Sequence, residues 1–263
     1  MRVPELIYIE IETIVKELLI HYHLSRPKSL LYRILFNQRK QQLVHYYFNN
    51  IAGAFSSQQK WGTYLFWALD NKMHRVRLSL KENILISEDN KISIPFTPEA
   101  VARALQDKAI FPSMAMCYVT VALYYGMKCL GGFCQVHDLT MLKEAWMKIL
   151  FEADEREEAL AVEPVQTKEL GGDGMVLAYL NTRKGELVPA TGIDLALNKQ
   201  DTSFEKFVAI SRRVTLSDMM NSMLPEMYTV LYPSFQRDGR LASLTPEQIS
   251  KVIGLHGKID IEE

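Results

Sequence analysis

Cysteine is scarce in this sequence, with three residues in a chain of 263. Three thiols are too few for a disulfide scaffold, and an odd number excludes complete pairing, so we expect a reducing, cytoplasmic compartment. The cysteines lack C-x-x-C spacing and the six histidines are scattered, so we expect no metal site. No motif identifies a cofactor, and the cofactor is unknown from the sequence.

A strong net charge is also absent, because 30 basic residues are balanced by 31 acidic ones and leave a formal charge of −1. This balance excludes a polyelectrolyte that attracts nucleic acid through its overall field. A signal peptide is not expected, since Glu5, Glu10 and Glu12 interrupt the region that would have to be apolar. The helical pattern begins almost at the first residue, so the chain is a possible domain of a longer protein.

Charged residues are missing from the stretch 110–127. A helix that is apolar on all sides is buried, either in a protein core or in a membrane. We expect the protein core, because Ser113, Thr120 and three tyrosines lower the hydrophobicity of the stretch. Pro112 is expected in the first turn of this central helix, where its missing N–H costs nothing.

A row of polar side chains follows one face of the predicted central helix. Its members recur at i, i+4, i+7, i+11 and i+15: Ser113, Cys117, Thr120, Tyr124 and Lys128. Buried polar groups need a partner, a water or a ligand. One interpretation is that the hydroxyls bond to carbonyls of their own helix and the thiol is a small core group. The other is that all five residues line a ligand-binding pocket.

A cluster of reactive residue types follows the central helix. The helix is expected to end at Gly131 and Gly132, whose backbone tolerates positive φ, and a second helix is expected to begin near Asp138, a favourable N-cap residue. The inter-helix turn between these points holds a thiol, an amide and an imidazole: Cys134, Gln135 and His137.

Two interpretations of this turn are open. As an active site, it uses Cys134 as the nucleophile or His137 as the general base, and Asp138 orients the imidazole. Gln135 and the two glycines then join the ligand-binding set. As ordinary structure, the thiol is half-buried and His137 is a surface side chain, since a cysteine and a histidine three residues apart are not a catalytic pair by spacing alone.

Acidic residues are absent between Glu17 and Asp70, whereas basic and aromatic residues alternate there. Such a mixture is typical of surfaces that bind phosphate and stack on bases. The candidate anion-binding residues are Arg26, Arg33, Arg39 and Lys40. The alternative is a solvated helix face whose aromatics point into the core. The acid-rich segment 152–158 is expected to complement these basic helices, within the fold or between subunits.

The periodicity predicts an α+β fold that is mainly helical, with a central buried helix, a helical shell and two small antiparallel β units. Helices are expected over 4–22 and over 27–54, with a possible break at 37–42. A β-meander is expected over 61–95 and further strands over 175–197. We expect one domain, 1–263, with a possible sub-lobe boundary at 163–174.

Two function classes are compatible with these patterns. The first is a cytoplasmic enzyme, a possible transferase or hydrolase, that acts on a small molecule at the 131–138 turn. The second is a non-enzymatic binding or assembly module that uses the basic N-terminal helices to hold an anionic partner or nucleic acid. No membrane partner is expected. The substrate, the reaction and the oligomeric state are not specified by the sequence.

Overall fold

Helices make up most of the computed structural model, which describes residues 8–70, 72–169, 179–181, 185, 187–189, 212–213, 215–221, 223–232, 234–252 and 260–261. The structure is α+β and mainly helical, as the sequence predicts. The chain divides into two compact units: Met1–Cys129 with Gln135–Glu169, and Leu130–Cys134 with Leu170–Glu263. The expectation of a single domain, 1–263 with 163–174 as a possible boundary, stays a prediction.

The helices up to residue 162 are mostly short. They are α1 (Ile11–Leu18), a first π-helix (Leu19–Leu24), α2 (Leu30–Leu35), α3 (Gln38–Phe48), α4 (Pro98–Gln106), α5 (Met114–Tyr118), a second π-helix (Val119–Tyr124), α6 (Phe133–Glu152) and α7 (Arg156–Val162). The predicted break near 37–42 is confirmed. Asn37 is the N-cap of α3, and its side chain accepts a hydrogen bond from the backbone N–H of Lys40 at 3.1 Å.

Two antiparallel sheets lie in the first unit. Their strands are β1 (Phe55–Ser56), β2 (Trp61–Gly62), β3 (Phe66–Leu69), β4 (Arg75–Lys81), β5 (Ile84–Ser87), β6 (Ser93–Pro95) and β7 (Ile110–Pro112). β1 pairs with β2, and the other five form a sheet in the order β6-β5-β4-β3-β7. A turn joins β3 to β4, where the Asp70 carboxylate accepts hydrogen bonds from the backbone N–H groups of Lys72 and His74.

The prediction of one continuous helix over 110–127 is wrong at both ends. Ile110–Pro112 is strand β7, paired with β3, and Pro112 faces Phe66 in the register instead of opening a helix. A proline is acceptable there because β7 is an edge strand of the sheet. The helix begins after Ser113 and ends at Tyr124, and the positive φ needed to leave it is supplied by Gly126 (φ 68°) rather than by Gly131 or Gly132.

The core of the first unit surrounds this shorter central helix, whose burial was predicted. Ala115, Cys117 and Ala122 have no exposed surface, and neither do Val15 and Leu19 on the N-terminal helix. Small side chains on α5 let α1 approach closely. Among the described residues, no helix is both long and apolar enough to cross a membrane.

The second unit is described in parts. β8 (Tyr179–Asn181) pairs antiparallel with β9 (Leu187–Pro189) and parallel with β10 (Asp260–Ile261). Its helices are Leu216–Asn221, Leu224–Leu231, Ser234–Gln236, Gly239–Ala242 and Pro246–Val252. Thr215 and Asp218 form a capping box, because the side chain of each accepts a hydrogen bond from the backbone N–H of the other. β8 and β9 confirm strands within the range 175–197, and the remainder of that prediction lies outside the described residues.

Candidate functional site

Two π-helices meet in the first unit. The first continues α1 and the second continues α5, and α1 packs against α5. In the second, the N–H of Tyr125 reaches back five residues to the carbonyl of Thr120 at 3.1 Å. A π-turn inserts one residue into the helical repeat, is rare in proteins, and occurs frequently at functional sites. The side chains that these two turns bring together form the candidate site.

His23, in the first π-helix, is the centre of the cluster and is only 1% exposed. Its Nδ1 lies 2.6 Å from the Ser29 hydroxyl and its Nε2 lies 3.1 Å from the Tyr125 hydroxyl. A neutral imidazole has one donor and one acceptor nitrogen, so the two hydroxyls take opposite roles. The rings of Tyr124 and Tyr125 meet the imidazole edge to face, with centroids 5.0 Å and 5.8 Å away.

The imidazole of His23 is held in its neutral form. Burial lowers the pKa of His23 to about 4, and the charge of Arg26 acts in the same direction. Burial likewise raises the pKa of Tyr125, with smaller effects in that direction from Tyr124 and Tyr22 and an opposing one from Arg26. Near neutral pH the cluster is therefore an uncharged, hydrogen-bonded anchor.

Above this anchor lies an exposed group that we call the tyrosine patch: Tyr22, Arg26, Tyr124 and Tyr125. The three rings are 50%, 39% and 42% exposed, in that order. The Arg26 guanidinium lies over the Tyr22 ring, 5.2 Å from its centroid, and the rings of Tyr124 and Tyr125 meet at 4.9 Å. Flat rings and one cation are thus presented side by side on a rigid base.

The predicted polar row along the central helix separates into two groups. Ser113, Cys117 and Thr120 are fully buried. The Ser113 hydroxyl accepts the backbone N–H of Met116 and caps α5, and burial raises the pKa of the Cys117 thiol. The Thr120 hydroxyl is buried without a hydrogen-bond partner in the part of the chain that the structure describes.

The other two members of that row, Tyr124 and Lys128, do not lie on its buried face. The π-turn shifts the helical repeat after Val119, so Tyr124 emerges at the surface, in the tyrosine patch. Lys128 lies beyond the helix and forms an ion pair with Glu169 at 2.8 Å. The five residues therefore do not share one pocket face. Ligand binding by Tyr124 nevertheless stays a prediction, with a different set of neighbours.

The predicted inter-helix turn at 131–138 is mostly helical. α6 begins at Phe133, five residues before the expected start, so Asp138 is inside the helix and is not its N-cap. The catalytic candidates are divided, since Cys134 belongs to the second unit and His137 and Asp138 to the first. Gly131 and Gly132 are likewise in the second unit, and Gln135 begins the last segment of the first. Their predicted roles stay predictions.

Asp138 has an unusual environment. Its Oδ1 is buried and, among the described residues, has no hydrogen-bond partner. Burial raises the pKa of its carboxyl, and His137 opposes that shift only in part. The loop at Gly53 (φ 77°) approaches it so closely that a Cβ there would lie 3.4 Å from Oδ2. Buried carboxyls with a raised pKa are frequent at functional sites.

The predicted anion-binding residues lie in contrasting environments. The guanidinium of Arg33 contacts the carboxylates of Glu155 at 2.5 Å and Glu158 at 2.6 Å, and Lys40 Nζ contacts Glu155 at 2.6 Å. Hydrogen bonds from Arg33 and Lys40 lower the pKa of Glu155 to about 2. The predicted complementation by the acidic segment is thus present within the fold. Arg26 belongs to the tyrosine patch, and Arg39 is exposed.

Sequence reasoning missed His23, Ser29 and Tyr125 as a group. The only sequence signal was the high density of histidine, tyrosine and arginine around residues 21–26, because the partner at Tyr125 is 102 residues away. Among the residues that the structure describes, no group of three or more His, Cys, Asp or Glu side chains could hold a metal ion. No protein-family model matches the chain, and neither a curated protein nor a solved structure shows significant similarity to it.

Proposed function

We propose that the protein is a binding module that holds single-stranded nucleic acid on the tyrosine patch. The observation that carries this proposal is the exposed set of three tyrosine rings and Arg26, in which Tyr124 and Tyr125 contact the neutral, doubly hydrogen-bonded His23 and Tyr22 contacts Arg26. Aromatic rings stack on nucleobases, and an arginine beside them stacks or contacts a phosphate. We keep the cytoplasm as its expected location.

Rigidity supports recognition by this surface. A side chain that is already ordered loses less conformational entropy on binding, so pre-organised tyrosines bind more tightly than mobile ones. Tyr124 and Tyr125 are each held by ring contacts with His23, and Tyr125 also by its hydroxyl. Tyr22 is covered on one face by Arg26.

Charge supports a stacking mechanism over an electrostatic one. The chain as a whole has a net charge of −1, and Arg33 and Lys40 are already paired with carboxylates. Few phosphates can therefore be neutralised. For single strands each neutralised phosphate contributes a slope of roughly −0.7 to the plot of log affinity against log salt. We expect a shallow slope of about −1, with most of the affinity due to stacking.

The test is fluorescence anisotropy with labelled oligothymidine and oligouridine of about ten nucleotides. Tyr22→Ala and Arg26→Ala are expected to weaken binding, and the second is expected to flatten the salt slope. The matched controls are Tyr46→Ala, an exposed tyrosine of α3, and Arg39→Ala, an exposed arginine outside the patch. Absence of saturable binding, or equal losses in the two controls, would refute the proposal.

The environment of Asp138 favours a second candidate, an enzyme that acts on a small molecule. Here the Asp138 carboxyl, whose pKa burial raises, is the proposed proton donor, and the neighbouring His137 is the proposed base. A carboxyl that is retained for catalysis in an unfavourable buried environment lowers the stability of the protein. Because burial raises the pKa of this carboxyl, its charged form is disfavoured in the fold, and Asp138→Asn should stabilise the protein.

Native mass spectrometry of the purified chain, with the absorbance ratio at 260 and 280 nm, separates the two candidates. Co-purifying nucleic acid supports the tyrosine patch, and a co-purifying small molecule that Asp138→Asn abolishes supports the enzyme. If Asp138→Asn instead lowers the free energy of unfolding, the carboxyl has a stabilising role and the second candidate loses its support.

A further inference from the structure

A cleft of about 460 Å³ lies in the first unit between α1 and the β7 edge of the five-stranded sheet. Its volume is in the range of small-molecule sites in proteins. None of the tyrosine patch residues lines it. A ligand of this cleft would therefore bind independently of the tyrosine patch.

Both signs of charge line the cleft. The acidic side chains come from the start of α1, at Glu10 and Glu12, and the basic ones are Lys16, Arg75 and Lys108. The guanidinium of Arg75 is 3.9 Å from the Glu12 carboxylate, which is longer than a hydrogen bond. Both groups therefore keep hydrogen-bonding capacity for a ligand.

An aromatic wall stands beside these charges. Phe111 of β7 lines the cleft, and the Arg75 guanidinium lies over its ring at 5.3 Å from the centroid. Stacking on a ring fixes the direction of a guanidinium fork, which can then meet a carboxylate through two parallel bonds. The ring edge and the adjoining aliphatic side chains leave apolar surface for the rest of a ligand.

These features select one class of ligand. Lys16 is already paired with Glu17 at 2.7 Å, so Arg75 and Lys108 are the cations that face the two glutamates. A phosphate or a dicarboxylate would be repelled by the glutamates, and an amine alone would be repelled by the two cations. A zwitterion satisfies both sets. We propose that the cleft binds a free α-amino acid with an apolar side chain. Its carboxylate meets Arg75 and Lys108, its ammonium meets Glu10 and Glu12, and its side chain lies on Phe111.

The test is isothermal titration of the full chain with L-phenylalanine, and with phenethylamine and 3-phenylpropionate, which each keep one of its charges. Saturable binding is expected for L-phenylalanine, and each analogue is expected to bind on the order of tenfold or more weakly, because a hydrogen-bonded charge is lost. If either analogue binds as tightly as L-phenylalanine, the proposal is overturned. The proposal is also overturned if L-phenylalanine or L-leucine does not bind.

A substitution at Lys108 separates a loss of ligand binding from a loss of stability. This lysine has φ 56°, a left-handed conformation that glycine adopts without strain. Lys108→Gly should therefore raise the unfolding midpoint while lowering affinity for L-phenylalanine about tenfold, because one charge-assisted bond is lost. Lys60→Gly is the matched control, since Lys60 has φ 54° and does not line the cleft. Equal affinities of the two variants would contradict the assignment.

Discussion

Arg33 and Arg26 come from the same acid-free interval, and their environments in the fold are opposite. Arg33 is enclosed by the carboxylates of Glu155 and Glu158, whereas Arg26 rests on Tyr22 at the surface. The paired cation stabilises the contact of α2 with the segment that follows α6. In the part of the chain that the structure describes, Arg26 has no carboxylate partner, so its charge is available to a binding partner. The same residue type thus becomes structural or available according to whether a distant carboxylate reaches it.

The largest effect is expected from removing the centre of the ion-pair network. Glu155→Ala leaves Lys40 without its carboxylate partner and Arg33 with Glu158 alone, so the free energy of unfolding should fall by about 4 kcal/mol. Urea denaturation at neutral pH measures it, with the exposed neighbour Glu157→Ala as control. Affinity for oligothymidine should be unchanged while the variant is folded. Equal losses in both variants would show that the network is not the cause.

A pH titration tests the anchor beneath the tyrosine patch. The pKa of His23 is about 4 in the folded protein against an ordinary 6.5, so the unfolded chain binds a proton that the folded one does not. This penalty is absent above pH 6.5 and grows as the pH falls towards 4, by on the order of 3 kcal/mol.

The variant His23→Gln should remove most of this slope. Burial also lowers the pKa of His45, so His45→Gln is measured in parallel to separate the two contributions. The Glu155 network acts at lower pH, because the pKa of Glu155 is about 2 and its contribution is lost between pH 4.5 and 2. An unchanged slope between pH 6.5 and 4.5 in His23→Gln would mean that the imidazole binds protons equally in the folded and the unfolded chain.

Exchanging the two arginines for alanine, one at a time, sharpens the comparison directly. Arg26→Ala should weaken oligothymidine binding about tenfold, or 1.4 kcal/mol, and change stability by no more than about 0.5 kcal/mol. Arg33→Ala should lower the free energy of unfolding and leave the affinity for oligothymidine nearly unchanged. Anisotropy and urea denaturation on both proteins give the four values. If both variants lose affinity to the same extent, the network also takes part in binding.

The smallest effect is expected from one hydroxyl. Tyr125→Phe removes the bond to His23 Nε2 but keeps the ring, so stability should fall by about 1 kcal/mol with little change in affinity. Thermal unfolding and anisotropy test both parts. A clear loss of affinity would place the hydroxyl in contact with the ligand.

The local chemistry of the chain predicted much of the fold. The N-caps at Thr97 and Thr215, the break at Asn37 and the β-turn at Asp70 depend on side chains that bond to backbone a few residues away. The start of the central helix was not predictable in that way. The apolar residues of Ile110–Pro112 are equally compatible with a buried helix and with a buried strand. Pairing with β3 is what makes this segment a strand.

The candidate site was predicted in fragments. Tyr124 and Arg26 were named from the sequence, but in two unrelated groups, and His23 was not singled out. A helical periodicity of 3.6 residues assigned Tyr124 to the same face as Thr120 and Ser113. The π-turn at Val119–Tyr124 moves it off that face, and a sequence of apolar residues carries no mark of such an insertion.

By itself the sequence determined the residues that can be buried, the caps and turns that divide the helices, and the supply of basic and aromatic side chains near the N-terminus. These depend on interactions within a few residues. Tertiary structure alone decided that Arg33 meets Glu155 and that His23 meets Tyr125, across 122 and 102 residues. The reason is physical: burial and long-range contact set the charge state and exposure of a side chain, and both arise only when distant segments pack together.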